Sequence, residues 1–315
     1  MQTLFEPIEP FDQFFLETNS IHRIYVEQCG NPNGVPILFL HGGPCSGCKP
    51  DHRRFFDPHV YRIILFDQRG CGRSLPFGEL NANSLQTIID DMERIRQVID
   101  LTSWILYGGS WGATLALAYA QKYTQSVQGM ILRGTFLARQ QDLEWFLGKN
   151  GVRLIYPEMS DLLVNSIPTL LRTQNLLADI ITTLNSDDEQ AVRSVTKAWQ
   201  LWGGQVALGS LFQPPEMIIT EQDVMQAKME LHYAQHHYFL ADNQLLANCH
   251  ILQHIPTMII HGRNDLVCPL EAGWQLHKHL PHSQFILLPN SGHIAQGEEM
   301  IDALVSATEA MKNIR

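Results

Sequence analysis

Residues 104–123 read WILYGGSWGATLALAYAQKY, and the fold turns on how this run is understood. Trp104–Tyr107 is a short apolar stretch of strand character, and Ala113–Tyr123 is rich in small residues at helical spacing. Between them stands Gly108-Gly109-Ser110-Trp111-Gly112, a G-x-S-x-G sequence. A strand that turns straight into a helix leaves no room for side chains at the flanking positions, so glycine is needed there. Such a turn projects the Ser110 hydroxyl above the edge of a sheet. The five residues alone are a weak signal; the strand before and the helix after supply the context a nucleophile requires.

A serine hydroxyl attacks only when a base removes its proton and an acid orients that base. In a strand–turn–helix site of this kind the chain order is Ser, then Asp or Glu, then His. Pro256–Asp265 (PTMIIHGRND) is a strand with a short loop ending in a carboxylate, and Pro289–His293 (PNSGH) is a strand end followed by Gly-His. Taken singly, a loop Asp is usually a cap and a His usually a surface group. Order and context select Ser110 as nucleophile, His293 as general base and then acid, and Asp265 as the group that fixes its tautomer. The tetrahedral oxyanion needs two N–H donors: that of Trp111, after the nucleophile, and one from the glycine turn His41-Gly42-Gly43-Pro44, with Gly43 preferred.

Outward from this centre the first half alternates strands and helices. Ile21–Gln28, Pro36–Leu40, Tyr61–Phe66 and Val127–Leu132 read as strands, and Ser84–Asp100 as a helix with Ser84 as N-cap. This alternation implies an α/β fold with a mostly parallel sheet covered on both faces. After about residue 133 apolar residues recur at helical spacing, as in Leu177, Ile180, Ile181 and Leu184. The strand pattern resumes at Pro256–Ile260 and Gln284–Leu288, with helices near Ala272–Leu280 and after His293. The expected organisation is a catalytic core of residues 1–133 and 251–315, interrupted by a helical cap of residues 134–250.

Composition narrows the function. The 315 residues are 45% hydrophobic and 17% charged, as in a soluble globular protein. A formal net charge of −10, with no run of Lys and Arg, argues against nucleic acid as a partner. MQTLFEPIEP has no signal-peptide pattern, and no apolar run reaches the roughly 18 residues that span a bilayer, so no membrane association and a cytoplasmic location are expected. Cysteines 29, 45, 48, 71, 249 and 268 are too scattered for a disulfide framework. Cys45-Ser46-Gly47-Cys48 has the spacing of a redox motif but no redox domain around it, and no second ligand pair for zinc. The pairs His236/His237 and His277/His279 lack metal-ligand spacing, and the chemistry calls for no metal or cofactor.

The motifs HGGP (41–44), FDQRGCGRS (66–74), GGSWG (108–112), LRGTF (132–136), GRNDLVCP (262–269) and SGH (291–293) resemble those of the proline iminopeptidases of the α/β-hydrolase superfamily, over nearly the whole chain. The resemblance implies an eight-stranded α/β-hydrolase core, Ser110, Asp265 and His293 as the triad, and a helical cap closing over the substrate's N-terminal residue. Its substrates would be short peptides with N-terminal proline. In that family two cap glutamates hold the free amine. Ala227–Tyr233 (AKMELHY) matches one, which carries Glu230 over; a competing register on His237-Tyr238-Phe239 would put Gln235 there. The other glutamate follows a Trp, and here Ala198–Gly204 (AWQLWGG) has Gly203 instead. Phe136 matches an aromatic against the proline ring, Ala234 stands where an aromatic follows H-Y, and Cys45 replaces a glycine. These departures keep two alternatives in view: a cap-bearing hydrolase of other specificity, such as an esterase or broader aminopeptidase, and a non-catalytic ligand-binding relative, against which the intact Ser-Asp-His set argues.

Overall fold

The computed structural model describes residues 1–314. Its strands are β1 (Pro10–Glu17), β2 (Arg23–Gly30), β3 (Val35–Leu40), β4 (Tyr61–Phe66), β5 (Trp104–Gly109), β6 (Val127–Arg133), β7 (Thr257–Gly262) and β8 (Gln284–Leu288). They form one sheet in the order β1-β2-β4-β3-β5-β6-β7-β8. β2 pairs antiparallel with both β1 and β4, and every other neighbouring pair is parallel. The sheet is therefore the expected eight-stranded, mostly parallel one.

Because side chains alternate across a strand, each apolar strand feeds two cores. Leu38, Leu40, Leu106, Leu132 and Ile259 enter a cluster on one face, with α1 (Leu85–Val98) and α2 (Trp111–Lys122). Ile37, Phe39, Ile105, Ile131 and Ile260 enter a cluster on the other face. The register Leu38↔Leu106↔Met130 keeps each set in line across the central strands. Ser84 caps α1, accepting from Thr87 N while the Thr87 hydroxyl accepts from Ser84 N.

Two readings shift. β2 runs from Arg23 to Gly30 rather than from residue 21, because Ile21, 56% exposed, lies in the preceding turn. β1 has no counterpart in the sequence reading. It is an edge strand, paired on one side only, with Phe11 and Phe15 turned to solvent, so it lacks the buried alternation that marks a strand.

Between β6 and β7 the described residues contain no strand. Here lie α3 (Gln140–Leu147), α4 (Pro157–Asn165), α5 (Leu176–Leu184), α6 (Glu189–Leu208), α7 (Glu221–Gln235) and α8 (Gln244–Ala247). Leu147, Leu163, Ile180, Leu184, Val195, Trp202 and Leu231 build a third cluster of their own. Leu245, Leu246, Cys249 and Leu252 instead join the first cluster, as do Met229 and Tyr233 of α7. Two helices complete the core, α9 (Leu270–His279) on the first cluster and α10 (Glu298–Met311) on the second. Among the described residues no helix is long and apolar enough to cross a membrane.

Candidate active site

The sharp turn between β5 and α2 explains its glycines. A Cβ on Gly108 would sit 2.3 Å from Gly112 O, and one on Gly112 would sit 2.1 Å from Leu40 O. Ser110 itself has φ 57° and ψ −123°, a conformation L-residues rarely adopt, costing roughly 1–3 kcal/mol. Hydrogen bonds on both sides hold it there: Ser110 N donates to Arg133 O at 2.9 Å, and Ala113 N donates to Ser110 O at 2.9 Å.

Asp265 and His293 meet from the ends of β7 and β8. His293 Nδ1 lies 2.8 Å from Asp265 Oδ2, and both residues are buried. Asp265 Oδ1 accepts from Cys268 N at 2.8 Å and Val267 N at 3.0 Å, and His261 Nε2 lies 3.6 Å from Oδ2. Burial alone would raise the Asp265 carboxyl. The charge and hydrogen bond of His293, then His261 and the Cys268 N–H, outweigh it and hold the group below its ordinary value. Asp265 is therefore ionised near neutrality, and its carboxylate favours the tautomer with the proton on His293 Nδ1. Among the described residues Ser110 Oγ makes no hydrogen bond to His293; it meets Cys268 Sγ at 3.9 Å. Ser110 and His293 line the same cavity.

Two residues beside this pair were not singled out by the sequence reading. Gly134, at φ 51°, lets the chain pass so close that a Cβ would lie 3.0 Å from Asp265 Oδ2 and 3.2 Å from His293 Nδ1. Arg133 donates through Nη1 to the backbone carbonyl of His293. Both lie within LRGTF, where the arginine and glycine were the only available signal.

The loop 41–48 follows β3. The N–H groups of Gly43 and Trp111 carry no hydrogen bond among the described residues, and Gly42 lies so near the elbow that a Cβ would meet Ser110 Cβ at 3.5 Å. The FDQRGCGRS segment holds this loop. His41 Nε2 accepts from Gln68 N at 3.0 Å, so Nδ1 carries the proton that reaches Gly42 O at 3.0 Å. Gln68 donates to His41 O and accepts from the Trp111 indole, each at 2.9 Å. Asp67 accepts from Cys48 N at 2.6 Å and from Arg73 Nε at 2.7 Å, and Gly72 packs where any Cβ would strike its carboxylate at 2.6 Å. One glutamine thus ties the glycine turn to the residue after the nucleophile.

A cavity of about 800 Å³ opens over Ser110. Besides Ser110 and His293 its walls include Gly43, Phe136, Trp199, Gly203, Glu230, Tyr238 and Cys268. Phe136 packs edge-on against Tyr238, with ring centroids 4.8 Å apart. Glu230 accepts from the Trp199 indole at 2.7 Å and from Gln226 Nε2 at 3.0 Å, both neutral donors. Burial raises its carboxyl above the ordinary value, against the pull of those two bonds. The other carboxylates on the wall have cations: Asp51 pairs with Arg54 at 3.1 Å and Asp142 with Arg139 at 2.6 Å. Gly203 also faces the cavity, and a Cβ there would meet nothing within 4 Å. Gln235, the alternative to Glu230, ends α7 and does not line the cavity.

Cys45 and Cys48 diverge. Cys45 belongs to the first core cluster with its thiol toward Gly70 O, while Cys48 packs against the second with its thiol toward Phe66 O at 3.3 Å. All six cysteines are free thiols.

With two N–H donors, an Asp–His pair and a serine on a strained turn, the arrangement can perform acyl transfer. A family model described as "alpha/beta hydrolase fold" matches residues 35–299. The proline iminopeptidase of Xylella fastidiosa (strain Temecula1) is 41% identical over 315 residues, covering 98% of this chain and 99% of that relative. The proline iminopeptidase of Arabidopsis thaliana is 38% identical over 316 residues, covering 99% of this chain and 82% of that relative. Among solved structures, an esterase from Exiguobacterium antarcticum superposes with a TM-score of 0.64 at 22% identity, covering 95% of this chain and 99% of that one. That last likeness speaks to the fold alone.

Proposed function

The chain belongs to the α/β-hydrolases and, within them, to the proline iminopeptidase family, and we propose that it is a serine aminopeptidase releasing N-terminal proline from short peptides. Ser110 Oγ attacks the prolyl carbonyl while His293 Nε2 takes its proton, and Asp265 stabilises the imidazolium that forms. The oxyanion is received by the Trp111 and Gly43 N–H groups, each such donor being worth about 10² to 10³ in rate. His293 then protonates the leaving amine, and water attacks the prolyl ester by the same route to free proline. Residues 134–250 act as a cap that shapes the acyl pocket, with Phe136 against the pyrrolidine ring. The six free thiols fit a reducing compartment, and we place the enzyme in the cytoplasm.

The observation that carries the reading is Glu230. It is the one carboxylate on the cavity wall with no cation partner among the described residues. A half-buried acid with only neutral donors seeks a positive charge, and the secondary ammonium of an N-terminal proline supplies one with two N–H donors. Measuring kcat/KM of Glu230→Gln on prolyl para-nitroanilide and on a short acyl ester tests this. The expected result is a loss of about 10- to 100-fold on the prolyl amide, equivalent to about 1.5–3 kcal/mol, with the ester little changed. Equal losses on both substrates would refute it.

A hydrolase of broader acyl specificity is the second reading. It is favoured by Gly203, which leaves open space where the family resemblance places a second glutamate.

A further inference from the structure

The wall of the cavity carries five charged side chains: Lys49, Asp51, Arg133, Asp142 and Glu230. Asp51 pairs with Arg54, and Asp142 shares Arg139 with Glu271. The remaining three have no ion-pair partner among the described residues: Glu230 in α7, Lys49 directly after the loop 41–48, and Arg133 at the end of β6. The cavity is therefore electrically two-ended. A negative pole stands on the helical side and a positive one on the core side.

The positive side is built rather than accidental. Lys49 N donates to His52 Nδ1 at 3.0 Å, and the His52 ring stacks on Phe39 with centroids 4.4 Å apart. Burial first, and then the charges of His41, Lys49 and Arg133, push His52 down to about 4. The imidazole is neutral near pH 7, with Lys49 and Arg133 lowering it and Asp51 opposing them. Arg133 is held by its bond to the His293 carbonyl, and its other N–H groups carry no hydrogen bond among the described residues. Lys49 is exposed, and its flexible four-carbon stem gives the ammonium reach toward a ligand.

On the aminopeptidase reading above, the substrate's amine lies at Glu230 and the scissile carbonyl at Ser110. We infer that Lys49, with Arg133 behind it, forms a subsite for the free C-terminal carboxylate of a di- or tripeptide. A zwitterionic short peptide matches the two poles, and a cavity of about 800 Å³ is of a size that holds such a ligand. Because Lys49 is exposed, its contribution is that of a solvent-screened ion pair, about two- to fivefold in KM. A solvated surface lysine would contribute nothing.

The test compares prolyl-alanine with prolyl-alaninamide in the wild type, Lys49→Gln and Lys49→Arg, with prolyl para-nitroanilide as a substrate lacking any carboxylate. The expected wild-type result is a KM about two- to fivefold lower for the free acid, narrowing as salt is raised toward 1 M. Lys49→Gln should abolish that difference and Lys49→Arg should keep it, with kcat and prolyl para-nitroanilide turnover unchanged in both. Equal KM values for acid and amide in the wild type, or an acid preference that survives in Lys49→Gln, overturns the subsite while leaving the peptidase reading intact. Failure of the wild type to turn over prolyl para-nitroanilide overturns the peptidase reading, and the subsite with it.

Discussion

Replacing Gly203 with glutamate should sharpen selectivity for an N-terminal amine. Gly203 lies one helical turn after Trp199 on α6, and the Trp199 indole donates to Glu230. A side chain at 203 therefore projects beside Glu230, and the space is open, since a Cβ there meets nothing within 4 Å. The helix itself favours the change, because glycine in a helix interior costs about 0.8–1.0 kcal/mol relative to alanine. Opposing this, a second carboxylate beside Glu230 raises both acids in the free enzyme, so the acidic limb of the pH profile should move upward. With substrate bound, one further charge-assisted hydrogen bond to the ammonium is worth about 1.5–3 kcal/mol, or about 10- to 100-fold. The assay is kcat/KM for prolyl para-nitroanilide divided by kcat/KM for a short acyl ester. Gly203→Glu should raise that ratio about 10- to 100-fold, mainly through KM. An unchanged ratio, with the variant folded, would refute the placement of the amine beside Glu230.

Glu230→Gln should also stabilise the protein. Burial raises the Glu230 carboxyl above its unfolded value, so ionising it costs folding free energy. The gain in the variant should be absent below the unfolded pKa, grow as pH rises through the folded one and stay constant above it; urea unfolding across pH 4 to 8 measures this. The same variant should lose the acidic limb that Glu230 imposes on prolyl amide turnover. Asp265→Asn should keep the fold and lower kcat by about 10⁴, because an amide no longer selects the Nδ1–H tautomer of His293. Gly72→Ala places a methyl 2.6 Å from the Asp67 carboxylate at φ 51° and should cost roughly 1–3 kcal/mol in urea unfolding, with a lower kcat as the loop 41–48 loosens.

Much of this site could be read in the chain because its constraints are local. The glycines at 108 and 112 are required by backbone contacts to Gly112 O and Leu40 O, and such requirements leave a fixed pattern in the sequence. Parallel strands buried on both faces leave runs such as PILFL and YRIILF, which are hard to mistake. β1 was illegible for the opposite reason, being paired on one side and wet on the other. Gln68, Arg133 and Gly134 act through partners 25 or more residues away, at His41, Trp111, Asp265 and His293, so no spacing announces their roles. The divergence of Cys45 and Cys48 depends on which side of the sheet each thiol enters, and the C-x-x-C spacing is silent on that.

The most direct test of a prolyl aminopeptidase is hydrolysis of prolyl, alanyl and leucyl para-nitroanilides and of a short acyl ester, with Ser110→Ala as the blank. Prolyl amide turnover should exceed that of the alanyl and leucyl amides by about tenfold or more, about 1.4 kcal/mol of discrimination, with no turnover in the blank. Ester cleavage with negligible prolyl amide turnover would contradict that activity, leaving Ser110 as a nucleophile in a cavity whose amine-binding pole serves another purpose.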